Sequence, residues 1–160
     1  MENNLYSKKV MEHFKKPHNY GRIENADGIG EIGNVVCGDL MKLYIKIGKN
    51  KKGEEIVGDI KFETFGCVAA ISSSSAVTDL VKGKTIKEAL EINSRKIAET
   101  LGGLPPIKYH CSVLGADAFL EAIYDYFSKN KRPIPKKIQK NHLRLKKEKK
   151  ELEERYKQWR

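Results

Sequence analysis

The stretch Leu104-Pro105-Pro106-Ile107-Lys108-Tyr109-His110-Cys111-Ser112 is where an extended segment turns into a helix. Its two prolines remove two backbone donors and bias the residues before them away from helix, so the first part reads as extended. An imidazole and a thiol then stand side by side. Ser112 heads an apolar-periodic run, Val113 to Phe127, which the spacing predicts as a helix with Ser112 as its N-cap. Cys111 then falls one residue before a helix, where the dipole and the unpaired N–H groups favour a thiolate.

Upstream, the other two cysteines also fall at the edges of predicted elements. Val35 to Ile47 carries Leu40, Met41, Leu43, Tyr44, Ile45 and Ile47 and reads as a strand. The polar run Gly48 to Gly53 reads as a turn, and Ile56 to Phe65 as the returning strand of a hairpin. Cys37 precedes the first strand's apolar run and Cys67 follows the second strand. An antiparallel pair puts those two ends side by side, which makes the two thiols neighbours. Gly66 breaks the strand, and Val68 to Val81 reads as a helix of small residues closed by Gly83, with polar Ser72 to Ser75 in its middle. Tyr6 to Lys16 has helical spacing and ends at Pro17. Pro17 to Gly33 shows no periodicity and reads as loop. Thr85 to Glu91 and Ser94 to Leu101 read as short helices, the first with Thr85 and Glu88 at capping-box spacing.

Charge divides the chain. The 160 residues carry a net charge of +10, and residues 129–160 hold 14 Lys and Arg against 4 Asp and Glu, so the whole excess lies there. Residues 1–128 read as one neutral globular domain and residues 129–160 as a basic helical extension. Pro133 and Pro135 form a linker. Ile138, His142, Leu145, Leu152, Tyr156 and Trp159 make a narrow apolar seam along one long helix, with Glu151–Arg155 and Glu153–Lys157 as favourably oriented pairs. No apolar run is long enough to span a membrane, and the N-terminus lacks the apolar core of a signal peptide. The expectation is a cytoplasmic protein. Three cysteines in such a chain argue for metal or redox chemistry over disulfides.

Taken singly, each cysteine reads as a small buried hydrophobe, His110 as a hydrogen-bonded surface residue and Asp39 as a turn residue. Taken together they read differently, because all three thiols lie at loop ends. Cys37-x-Asp39, Cys67 and His110-Cys111 supply thiolate, carboxylate and imidazole, the donors of a site for zinc or iron. No Cys-x-x-Cys pair is present, so the site is not a zinc ribbon. Ligands from separate loops need the whole fold to bring them together, and such a site can stay open and exchangeable.

Three motifs carry a resemblance. Gly33-Asn34-Val35-Val36-Cys37-Gly38-Asp39-Leu40-Met41-Lys42, Phe65-Gly66-Cys67 with its small-residue helix, and Leu104 to Lys108 followed by His110-Cys111-Ser112 resemble the iron–sulfur cluster assembly scaffolds of the IscU/NifU-N-terminal type, over residues 4 to 128. The resemblance implies an α+β fold, a small antiparallel three-stranded sheet packed by helices, followed here by the long C-terminal helix. It implies a [2Fe–2S] cluster on Cys37, Cys67 and Cys111, with Asp39 or His110 completing the coordination, iron as cargo, and zinc as a resting occupant. A non-thiolate fourth ligand leaves the site more labile. Lys42 matches a family lysine near the site, either neutralising Asp39 and gating ligand exchange or making a surface ion pair.

The same resemblance implies partners. Sulfur arrives as a persulfide from a cysteine desulfurase, with Cys111 as acceptor; a ferredoxin-type donor supplies electrons, and apo-proteins receive the cluster. Leu104, Pro105, Pro106, Ile107 and Lys108 match the segment read by an Hsp70-type chaperone, though they also serve as a rigid connector. The chain is thus expected to be a scaffold, not a turnover enzyme. The rival is a zinc-dependent SufU-like sulfurtransferase; the span from Asp79 to Leu104 lacks the insertion of that branch. Val68-Ala69 stands where many members have Gly-Ser, and the extension exceeds the usual ending. The extension can dock on the body or on a second copy, leaving a homo-oligomer open. A third reading, a nucleic-acid module with structural zinc, predicts salt-dependent binding lost with residues 129–160, but the body shows no basic stripe.

Overall fold

The computed structural model describes residues 5–34 and 38–157. The chain runs α1 (Lys8–Lys15), β1 (Gly28–Asn34), β2 (Asp39–Lys49), β3 (Glu55–Phe65), α2 (Val68–Val81), α3 (Ile86–Ala89), α4 (Ser94–Thr100), α5 (His110–Lys129) and α6 (Lys136–Lys157). The strands form one antiparallel sheet in the order β1-β2-β3. The fold is α+β, with a three-stranded antiparallel sheet packed by helices and a long C-terminal helix.

Alternation decides which face of the sheet is covered. Met41, Leu43 and Ile45 on β2, and Ile60 and Phe62 on β3, are fully buried and paired across the register as Leu43 with Phe62 and Ile45 with Ile60. A register shift between Lys46 and Ile47 keeps Val57, one residue out of phase with Ile60 and Phe62, buried as well. The opposite face carries Lys42, Tyr44 and Glu63, with the Tyr44 hydroxyl donating to Glu63 Oε2 at 3.0 Å.

The span Pro17 to Gly33, expected to be loop, contains all of β1 but its last residue, Asn34. Its sequence GIGEIGN has little β propensity, and its partners explain why it pairs. A Cβ on Gly28 would stand 2.2 Å from Ala122 O, and one on Gly30 2.0 Å from Ala118 O. Helix α5 therefore lies directly on the backbone of β1. Asp125 Oδ2 accepts from Ile29 N at 2.8 Å and fixes the crossing.

Local signals set the helix ends. Ser7 caps α1, its Oγ accepting from Val10 N at 3.1 Å. Thr85 and Glu88 close the expected capping box on α3. The four serines of α2 are fully buried because three of them find partners: Ser72 Oγ donates to Val10 O at 2.7 Å, Ser74 Oγ to Ala70 O at 2.8 Å, and Ser75 Oγ faces α1 and the loop after it.

Two sequence expectations at α5 change. The helix starts at His110, not after Ser112, and Ser112 is no N-cap. Pro106–Lys108 forms a 3₁₀ turn with proline at its first position, and it runs straight into α5, so only Leu104 and Pro105 are extended. Ser112 Oγ turns back and donates to Tyr109 O at 2.6 Å.

Helix α6 packs on α5 with the first half of its seam. Ile138 is fully buried and Leu145 packs against the core. The His142 ring stacks on Tyr124 at 3.7 Å between centroids, and Arg144 Nη2 donates to Asp117 Oδ1 at 2.8 Å. Beyond Leu145 the helix is largely exposed, with Tyr156 at 53%. Trp159 lies outside the described residues. Among the described residues, the i, i+4 ion pairs on α6 are Arg144–Glu148 and Lys147–Glu151, in place of the two pairs the sequence suggests.

Glu55 joins the hairpin to the turn between α5 and α6. Tyr126 Oη donates to it at 2.7 Å and Arg132 Nη1 at 2.7 Å. The Tyr126 hydrogen bond, more than burial opposes it, lowers the Glu55 pKa, and Arg132 lowers it further. A lowered folded-state pKa contributes stability above the unfolded value of about 4.3, and that contribution is lost as pH falls through the folded value. Glu55→Gln is therefore expected to lower stability by about 1 kcal/mol at pH 7 and by less at pH 3. Urea unfolding at the two pH values checks this; an equal loss at both would show that charge has no part in it.

Candidate metal site

The site lies where the sheet's ends meet two helix N-termini. Leu40 pairs with Phe65, so the start of β2 stands beside the end of β3, as an antiparallel hairpin requires. Gly66 turns the chain from β3 into α2. A Cβ there would come within 2.7 Å of Ala70 Cβ and 3.0 Å of Asp39 Oδ1, so only glycine leaves Asp39 its room. Cys67 is the N-cap of α2, and His110 and Cys111 are the first two residues of α5. Both thiols thus face the positive ends of helices. Cys111 lies inside the helix, not one residue ahead of it, yet still within the turn where the dipole acts.

Three side chains converge on Cys111 Sγ. Cys67 Sγ lies 3.9 Å away, His110 Nε2 3.6 Å and Asp39 Oδ2 3.8 Å. Asp39, His110 and Cys111 can each present one ligand atom within 4.8 Å of the others. Cys111 is fully buried against Ala69 and Ala70, Asp39 is 6% exposed, and Cys67 is half-buried. Small residues at the start of α2 make this close approach possible. Two thiols, a carboxylate and an imidazole are donors for iron or zinc. Cys37, the remaining expected ligand, lies outside the described residues.

Lys42 is not among this group. It projects from the opposite face of β2, 3.9 Å from Glu31 Oε2 and over the Tyr44 ring. One-residue parity separates it from Asp39, which faces the core. Lys108 is a cation that feels the thiols. Its pKa is raised, first by the charge Cys67 carries as a thiolate, then by Tyr6, Cys111 and Asp39. The Tyr6 phenol is pushed up, first by burial and then by the field of Cys67. Sequence reading placed Lys108 in a docking motif and Tyr6 in a helix; nothing in their local sequence connects either to the thiols. Around the site Phe65 and Ile107 are 79% and 76% exposed, an apolar rim beside the buried donors.

Residues 5–133 match the family model described as NifU-like N terminal domain. Two iron–sulfur cluster assembly scaffold proteins of Archaeoglobus fulgidus, IscU 1 and IscU 2, are each 57% identical over 126 residues, covering 79% of this chain and 79% of theirs. The scaffold protein IscU of Aquifex aeolicus is 45% identical over 127 residues, again covering 79% of both chains. In fold, the chain is similar to the N-terminal NifU-like protein of Brucella abortus, with a TM-score of 0.61, 18% identity and coverage of 78% of this chain and 96% of that one. The three-stranded sheet, the paired helix N-termini and the family match agree, and the chain belongs to the NifU-like N-terminal domain family.

Proposed function

We propose that this chain is a scaffold on which a [2Fe–2S] cluster is built from iron and desulfurase-derived sulfur and then passed to apo-proteins. The observation that carries the reading is the convergence of Cys67, His110 and Asp39 on Cys111 within 3.9 Å. The cluster is cargo, so the site must hold it and let it go. Cys37, Cys67 and Cys111 supply the thiolates, and Asp39 or His110 supplies the weaker last ligand.

Cys111 is the sulfur acceptor. Its thiolate attacks the outer sulfur of the desulfurase persulfide; that S–S bond breaks, the donor cysteine leaves as thiolate, and Cys111 carries the new persulfide. Two electrons from a ferredoxin-type donor reduce this sulfane sulfur to sulfide and return the Cys111 thiolate. Lys108 and the two helix N-termini stabilise the anions that this exchange requires. Lys42, on the other face, reaches the site only through a partner or a rearranged strand end. Ile107 exposes an apolar side chain for a chaperone of the Hsp70 class, which would read Leu104, Pro105, Pro106, Ile107 and Lys108. The 3₁₀ turn over Pro106–Lys108 must open before that segment fits an extended-peptide groove.

The test is iron, zinc and acid-labile sulfide per chain after anaerobic incubation with ferrous iron, cysteine, a desulfurase and a reductant. Iron and sulfide in equal amounts, with visible absorption of a [2Fe–2S] centre, is the expected result. Tightly held zinc without sulfide would replace this reading with the zinc-dependent sulfurtransferase. Asp39→Ala is expected to slow cluster transfer to an apo-ferredoxin severalfold, because the displaceable oxygen ligand is gone. An unchanged or faster transfer rate would remove Asp39 from that role.

A further inference from the structure

A second set of donors meets at the far end of α2. His13 comes from α1, His18 from the loop after it and Asp79 from the last turns of α2, and each can present one ligand atom within 4.8 Å of the others. Asp79 is 12 residues beyond Cys67 on the same helix, about 18 Å at a helical rise of 1.5 Å per residue. This cluster is therefore separate from the thiol site, and no step of the assembly reading uses it.

The three side chains are held in place. His13 Nδ1 is 2.7 Å from Ser75 Oγ, and the same buried oxygen accepts from His18 N at 2.8 Å. His18 Nδ1 lies 2.5 Å from Asp79 Oδ2, and the two imidazole centroids are 4.8 Å apart. The loop behind them is tied at Asn19, whose Nδ2 donates to Thr78 Oγ1 at 2.9 Å and whose carbonyl accepts from Phe62 N at 3.0 Å. The His18 and Asp79 side chains are 54% and 39% exposed, so the cluster opens to water on one side.

We propose that His13, His18 and Asp79 form a second metal site, for a hydrated divalent ion of the zinc or ferrous class. Two imidazoles and one carboxylate suit those ions; calcium and magnesium demand more oxygens, and cuprous ion demands sulfur. With Nδ1 of His13 donating to Ser75, its Nε2 is left as a lone-pair donor, the arrangement in which a second hydrogen bond orients a ligating histidine. Metal bonds of about 2 Å set neighbouring ligand atoms roughly 3.3 Å apart, so the His18–Asp79 contact opens by less than 1 Å on binding. The exposed carboxylate rotates to allow it. Water completes the coordination on the open side.

Equilibrium dialysis of the full chain against micromolar zinc, before and after His18→Gln, tests the site. The native chain is expected to hold one zinc equivalent that the variant binds at least tenfold more weakly. Ser75→Ala, which removes the oxygen that orients the His13 ring and also accepts from His18 N, is expected to weaken that equivalent by about tenfold or more. Cobalt at the same site should show visible ligand-field bands without sulfur-to-metal charge transfer, which separates it from the thiols. Asp79→Asn repeats the test on an exposed side chain should His18→Gln perturb folding. Equal zinc in the native, His18→Gln and Asp79→Asn chains, or charge transfer on every bound cobalt, would leave His18–Asp79 as an ion pair only. Neither outcome bears on cluster assembly, whose assay reads sulfide.

Discussion

Cys111→Ser is expected to remove persulfide from the chain altogether, a loss of at least about a hundredfold in a mass-spectrometric assay with desulfurase and cysteine. Serine is nearly the size of cysteine, and position 111 is fully buried beside Ala69 and Ala70, so the fold tolerates the exchange. The chemistry does not. A hydroxyl stays protonated where the thiol ionises, and it cannot attack the outer sulfur of a persulfide. The same change removes the atom on which Cys67, His110 and Asp39 converge, so cluster yield falls with it. Persulfide that persists at Cys37 or Cys67 in the variant would show that Cys111 is not the acceptor. Circular dichroism superimposable on that of the native chain confirms that the loss is chemical.

Gly30→Val is expected to cost at least about 3 kcal/mol and roughly 10 °C in Tm. The first added carbon alone would stand 2.0 Å from Ala118 O and 2.6 Å from Ala122 N. Both are backbone atoms of a helix that cannot yield locally, so α5 must lift from the sheet. Because α5 begins with His110 and Cys111, the displacement also carries the site apart, and cluster yield should fall in the fraction that remains folded. Gly33→Ala is the control on the same strand. Its Cβ would meet Leu40 Cδ1 at 3.8 Å, an ordinary contact, so it should stay within about 1 kcal/mol of the native chain. Equal stability of the two variants would mean that α5 does not rest on β1.

Much of this fold could be read locally. The β2–β3 hairpin follows from alternation around a polar turn, and Thr85 with Glu88 announces α3. Helix α2 has the bounds that its flanking Gly66 and Gly83 suggest. Strand β1 could not be read, because Gly28 and Gly30 are there to admit Ala118 and Ala122 from a helix some 90 residues later. The start of α5 differs from the one its sequence suggests because Ser112, a common N-cap, instead donates to Tyr109 O inside a turn that Pro106 begins.

The site divides the same way. The sequence alone determined which donors the chain owns, Asp39, Cys67, His110 and Cys111 among the described residues, since residue type fixes ligand chemistry and loop-end position leaves it accessible. Only the tertiary structure decided that Lys42 lies away from the thiols, because strand parity turns it to the opposite face, and that the charge of the thiols is felt at Lys108. It also decided that the basic extension docks on α5 through Ile138, His142 and Arg144, and that His13, His18 and Asp79 meet. Alternation and capping act over a few residues and are written in order along the chain. Contacts between α1, α2, β1, α5 and α6 join residues that no local pattern relates, and they exist only once the core has closed.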